Sequence, residues 1–94
     1  MSLYLGFMFD CHLFSDVTRT TENNEAAAIA RYVRLFVEDG SGMAFARWGN
    51  HSVVPPLHGR KLDDGRWGVP YEEIKAWVRS ALAYRPPLVD PGAA

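Results

Sequence analysis

Residues 3–13 alternate, with Leu3, Leu5, Phe7, Phe9, Cys11 and Leu13 on odd positions and Tyr4, Gly6, Met8, Asp10 and His12 between them. Successive side chains of a strand point to opposite faces, so the pattern predicts a strand with an apolar odd face. Its even face is half apolar, which marks a central strand partly covered on both sides until it turns polar near Asp10. A polar connection follows over residues 15–21.

The period then changes. Residues 22–38 hold three consecutive alanines, with Glu22 and Glu25 early and Gly40 just beyond. Alanine favours helix, acids suit the positive end of the helix dipole, and glycine suits a C-terminal stop, so a helix is predicted here. Its apolar stripe reads Ala26, Ile29, Ala30, Val33, Phe36 and Val37, opposite Asn24, Arg31, Arg34 and Glu38. A competing reading makes residues 31–38 a strand, paired with residues 43–48 through Asp39-Gly40-Ser41-Gly42, because the segment from Arg31 to Val37 is rich in β-formers. The alanine run and the acidic opening favour the helix.

Met43-Ala44-Phe45-Ala46-Arg47-Trp48 reads as a second strand ended by Gly49-Asn50. Pro55-Pro56 then withholds backbone donors from any sheet, and Asp64-Gly65 is a turn signal that would close a small ribbon between Lys61-Leu62 and Arg66-Trp67. The last element is a helix with Pro70 at its first position and Glu72 and Glu73 in the first turn. Ile74, Trp77, Val78, Ala81 and Leu82 recur at helical spacing, with Lys75 and Arg79 toward solvent. Pro86-Pro87 stops it, leaving residues 87–94 as a tail on a domain over residues 1–86. The order β-α-β-ribbon-α implies an α+β fold, a small and mainly antiparallel sheet with two helices packed on one face. The expected core is Leu3, Leu5, Phe7, Phe9, Ile29, Val33, Phe36, Phe45, Ile74, Trp77 and Leu82.

Composition narrows the class of molecule. Ninety-four residues, 48% of them hydrophobic and 22% charged, make one globular domain. Cys11 is the only cysteine, which excludes an internal disulfide and fits a reducing cytoplasm. The apolar opening has no basic n-region and no small-residue cleavage site, so it reads as a strand and not as a signal peptide. No run approaches the roughly 18 apolar residues that a membrane span needs.

Chemistry-bearing constellations are sparse. Asp10, Cys11, His12, His51 and His58 are metal-ligating types, but Cys11 and His12 are strand neighbours that point opposite ways, and His51 and His58 match no ligand spacing. Cys11 falls on the apolar face, where a thiol is an inert core residue more often than a nucleophile; a small enzyme built on Cys11 and a histidine ranks last. Asp63-Asp64 and Glu72-Glu73 are accounted for by a turn and a helix start. No P-loop, G-x-G-x-x-G or H-E-x-x-H pattern is present, so no cofactor is implied.

Charge is unevenly placed. The net charge is −1, which argues against a wholesale electrostatic grip on nucleic acid, yet Arg47, Arg60, Lys61 and Arg66 against Asp63 and Asp64 make residues 43–70 locally cationic. Trp48, Asn50, His51, His58 and Trp67 lie in the same stretch, and tryptophan and arginine dominate binding energy at protein interfaces. A connection of this length inside so small a domain is more often functional than neutral. The expected role is a non-catalytic intracellular interaction module, such as an inhibitor or immunity-type protein, that binds a larger protein through residues 48–67. Trp48, Asn50, His51, His58, Arg60, Lys61, Arg66 and Trp67 form its contact set. The alternative is a nucleic-acid-binding accessory domain, with Arg47, Arg60, Lys61 and Arg66 on phosphates and an exposed tryptophan stacking on bases. A homodimer through Tyr4 and Met8 is a further expectation wherever the even face of the first strand is uncovered.

Overall fold

The computed structural model describes residues 3–9, 13–18, 25–49 and 51–84. Asp10, Cys11, His12, Asn24, Asn50 and the expected tail lie outside them, as does the expected core role of the Phe9 side chain. The chain runs β1 (Leu3–Phe9), β2 (Leu13–Thr18), α1 (Glu25–Glu38), β3 (Met43–Trp48), β4 (His51–Ser52), β5 (Leu57–His58), β6 (Arg60–Lys61), β7 (Trp67–Gly68) and α2 (Tyr71–Leu82). The main sheet has the order β2-β1-β3-β4, with β5 also paired to β3; β6 and β7 form a separate two-stranded ribbon, and every pairing is antiparallel. This is the α+β architecture that the periodicity predicts, and residues 31–38 are helix, not hairpin. Two details differ from expectation. The first strand ends at Phe9, and residues 13–18, read as its end and a polar connection, form a strand paired with it.

Register fixes the two faces of the sheet. Leu5 pairs with Ala46 and Phe7 with Ala44, and all four are buried beneath the helices. Tyr4, Gly6 and Met8 pair with Arg47, Phe45 and Met43 on the other face, so Phe45, expected in the core, instead lies half-buried with its ring 5.9 Å from that of Tyr4. The small alanines on the core face leave room for large helix side chains. Phe7 meets Phe36 edge-on at 4.9 Å, and Tyr32 meets Trp77 edge-on at 5.3 Å, a favoured aromatic geometry.

The buried stripe of α1 is Ala28, Ile29, Tyr32, Leu35 and Phe36. Ile29 and Phe36 fall as expected, but Ala26, Ala30 and Val37 are exposed and Val33 is only partly buried. Tyr32 decides the rotation. Its hydroxyl donates to the Gly6 carbonyl at 2.9 Å, with the Phe45 carbonyl 3.3 Å away, so the phenol tip reaches the backbone of both central strands. Burial pushes the Tyr32 phenol well above its ordinary pKa, with Tyr4 adding to the effect. With Tyr32 and Leu35 turned inward, Val37 is turned out, since each residue advances about 100° around the helix.

Past Trp48 the chain doubles back along the outer edge of β3. His51 and Ser52 pair with its end, Leu57 and His58 with its start, and Val53 N–H donates to the Ala46 carbonyl. Pro55 and Pro56 lie between the paired pieces, where no ladder donor is needed, and interrupt an edge that would otherwise invite further pairing. The bulge has its own anchor, because Trp77 Nε1 donates to the Pro55 carbonyl at 2.7 Å. Residues 51–66 therefore hold two short edge strands and the start of the ribbon, not a structureless connection. At the start of α2, Pro70 is the cap residue and not the first helical one; its carbonyl accepts from the Glu73 and Ile74 amides.

Candidate functional site

The ribbon is held against the body of the domain by two glycines. A Cβ on Gly59 would lie 1.7 Å from the Gly40 carbonyl oxygen, and one on Gly40 would lie 2.1 Å from the Trp67 carbonyl oxygen. Gly40 is thus required by close backbone approach and not by a left-handed conformation; α1 ends instead with the Asp39 carboxylate accepting from the Ser41 amide and hydroxyl. The ribbon itself closes through Leu62 N–H donating to the Arg66 carbonyl, and through Asp64, which accepts from the Arg66 amide at 3.0 Å and from its Nε at 2.7 Å. Those bonds hold the Asp64 carboxyl below the usual carboxylate range, the backbone amide contributing most. Arg60 makes a two-pronged pair with Glu73 on α2, tying the ribbon to that helix; the same pair lowers the Glu73 pKa and raises that of Arg60.

This scaffold presents Trp67 beside Val37 of α1 and Tyr71 of α2. Among the described residues these three are the large hydrophobics left open to solvent, with 80% of Val37, 57% of Trp67 and 54% of Tyr71 exposed. All three line one groove of about 230 Å³, whose other apolar side chains are Val33, Phe36, Leu62, Val69 and Ile74, with Arg66 also lining it. Solvated tryptophan, tyrosine and valine around a shared hollow are costly unless something covers them, since each forfeits the burial energy that drives such side chains inward. The groove is below the roughly 300–1,000 Å³ typical of small-molecule sites and is open, a shape that suits an inserted side chain.

The eight residues singled out in the sequence do not converge. Trp67, Lys61, Arg60 and Arg66 gather at the ribbon, and His58 pairs with Met43 at the start of β3. Trp48 and His51 sit at the other end of β3, roughly 17 Å away at 3.4 Å per residue. Trp48 is half-buried, its ring 6.3 Å from that of Tyr84, while His51 and His58 are exposed on the edge. Asn50 lies outside the described residues. Val33, Val37 and Tyr71, which complete the groove, were missed because Val33 was expected in the core and Val37 on the apolar stripe of the helix. One signal was available: α1 carries more apolar residues than a single face can bury.

Two of the four cations proposed for phosphate contact, Arg60 and Arg66, are committed to Glu73 and Asp64, and the hollow beside the ribbon mixes Lys61 with Asp63 and Asp64. The guanidinium of the third, Arg47, lies 5.9 Å from the Phe45 ring centroid on the far face of the sheet. Among the described residues no group of three or more histidine, cysteine or acidic side chains is placed to hold a metal, and no helix is long and apolar enough to cross a membrane. No family model matches the chain, and neither a curated protein nor a solved structure matches it at a significant level.

Proposed function

We propose that the protein is a non-catalytic interaction module that seats an apolar element of a larger protein partner in the groove formed by α1, the ribbon and α2. The observation that carries this reading is the convergence of Val37, Trp67 and Tyr71 on one hollow. Aromatic anchors flanked by a cation are the usual composition of binding hot spots, and Arg66 stands beside the indole-bearing strand as that cation. The intracellular setting rests on the single cysteine. Recognition of nucleic acid is less well supported, because the four cations do not form one phosphate-binding face: Arg47 lies on the far face of the sheet, Arg60 is held by Glu73, and Lys61 shares its hollow with Asp63 and Asp64.

The test is capture of tagged full-length protein from its native lysate alongside Trp67→Ala and Tyr71→Ala. One partner should be retained by the parent chain and lost by both variants, a hot-spot truncation of 2 kcal/mol or more being about thirtyfold in Kd. Both variants should keep the parent circular dichroism and unfolding midpoint, because the side chains removed are more than half exposed. A partner retained undiminished by both variants would refute the proposal.

A further inference from the structure

The groove beneath Trp67 continues as a trough between the two helices. Val33 and Tyr71 line both, and the trough runs on past Ala26, Ile29 and Ala30 of α1 to Lys75 and Arg79 of α2. From Ala26 to Val37 it follows α1 for eleven residue steps, roughly 16 Å at 1.5 Å each. We infer that the occupant is an amphipathic α-helix of about three turns, apolar toward the trough and acidic along its flanks; this rests on the reading that the groove is the contact surface.

Backbone accounting selects a helix over an extended segment. Over most of its length the trough is walled by two α-helices whose peptide groups are bonded within themselves, the ribbon lining only one end, so it offers an incoming chain mainly side chains and few main-chain partners. An extended peptide seated there would bury unpaired N–H and C=O groups, whereas a helix brings its own bonds. A third helix laid between α1 and α2 would seat apolar residues spaced at i, i+4, i+7 and i+11 from Ala26 to Trp67, as helix-in-groove complexes do.

Charge selects the flanks. Arg66 stands at the ribbon end and Arg79 at the far end, with Glu25 the acid among the lining residues; Lys75, midway, is paired with Glu72 at 3.3 Å and keeps only 24% of its side chain exposed. Arg66 and Arg79 keep 81% and 61% of their side-chain surface exposed despite their pairs with Asp64 and Glu25, so each can accept a second carboxylate. A basic helix would be repelled at both ends of the trough.

The experiment is selection on the full chain from a display library of peptides of about 14 residues, some patterned as amphipathic helices and others as alternating or proline-interrupted extended segments. Helix-patterned peptides with acidic flanks should be enriched and should gain helical circular dichroism on binding. Val37→Glu, whose parent side chain is largely exposed, and Trp67→Ala should each weaken them about tenfold or more, and Arg66→Gln about threefold. Enrichment of extended or basic peptides, or binding unaffected by Val37→Glu, would overturn the inference, as would a concentration-dependent doubling of mass abolished by Val37→Glu, which would place a second copy in the groove. No enrichment, with the lysate partner still lost on Trp67→Ala, overturns the helical occupant and leaves the groove reading intact; if lysate capture also survives that variant, both fall.

Discussion

Removing one hydroxyl tests the contact that sets the rotation of α1. Tyr32 is fully buried, its phenol donating to Gly6 with Phe45 close by, while its ring is held edge-on by Trp77. Tyr32→Phe keeps the ring and deletes the donor, leaving the Gly6 and Phe45 carbonyls short of a partner in the interior. A lost net hydrogen bond plus partial desolvation of those acceptors costs about 1–2 kcal/mol at neutral pH, or roughly 4–8 °C in Tm per kcal/mol for a domain of this size. Burial raises the folded-state pKa of Tyr32, so the neutral phenol is the form the fold requires. Its contribution is therefore complete below the unfolded value near 10 and is lost as pH rises above it, at about 1.4 kcal/mol per pH unit. Tyr32→Phe has no such group. Urea denaturation at pH 7, 9, 10 and 11 should show the parent more stable by about 1–2 kcal/mol at pH 7, with the gap closed near pH 11. Equal midpoints at pH 7, or a gap that stays constant through pH 11, would refute both the placement of the hydroxyl and the account of α1 built on it.

Gly59→Ala would push a methyl group into the Gly40 carbonyl; chemical denaturation should show a loss of about 1–3 kcal/mol, and the Trp67 indole signal in NMR should shift as the ribbon moves. Trp77→Phe removes the donor to Pro55 along with part of a buried ring, and about 1–3 kcal/mol should be lost in thermal unfolding. In a carboxyl NMR titration, Arg60→Gln should return Glu73 to the ordinary glutamate range, whereas Arg66→Ala should leave Asp64 still depressed, because the backbone amide persists at that position. What these two depressed carboxylates contribute to stability is present above the unfolded values near pH 4 and is lost as pH falls below them.

Local pattern settles much of this molecule. The odd-position apolar run dictates that Leu5 and Phe7 share a face, the alanine run and acidic opening make residues 25–38 helical, and the spacing from Ile74 to Ala81 fixes the inner side of α2. The Asp64-Gly65 turn likewise announces a ribbon that brings Trp67 back beside Lys61. Each of these depends on residues within one or two turns of each other, and short-range sterics and periodicity decide such matters alone. Which apolar residues of α1 would be buried is a different kind of question. Tyr32 and Leu35 compete with Val33 and Val37 for the interior, and the outcome depends on Gly6 and Phe45, whose carbonyls receive the Tyr32 hydroxyl from 26 and 13 residues away in sequence. The candidate groove has the same origin: Val37, Trp67 and Tyr71 become neighbours only because Gly40 and Gly59 let three backbone segments touch. Sequence spacing carries no record of that approach, since it is a packing solution reached when a sheet, a ribbon and two helices share one core.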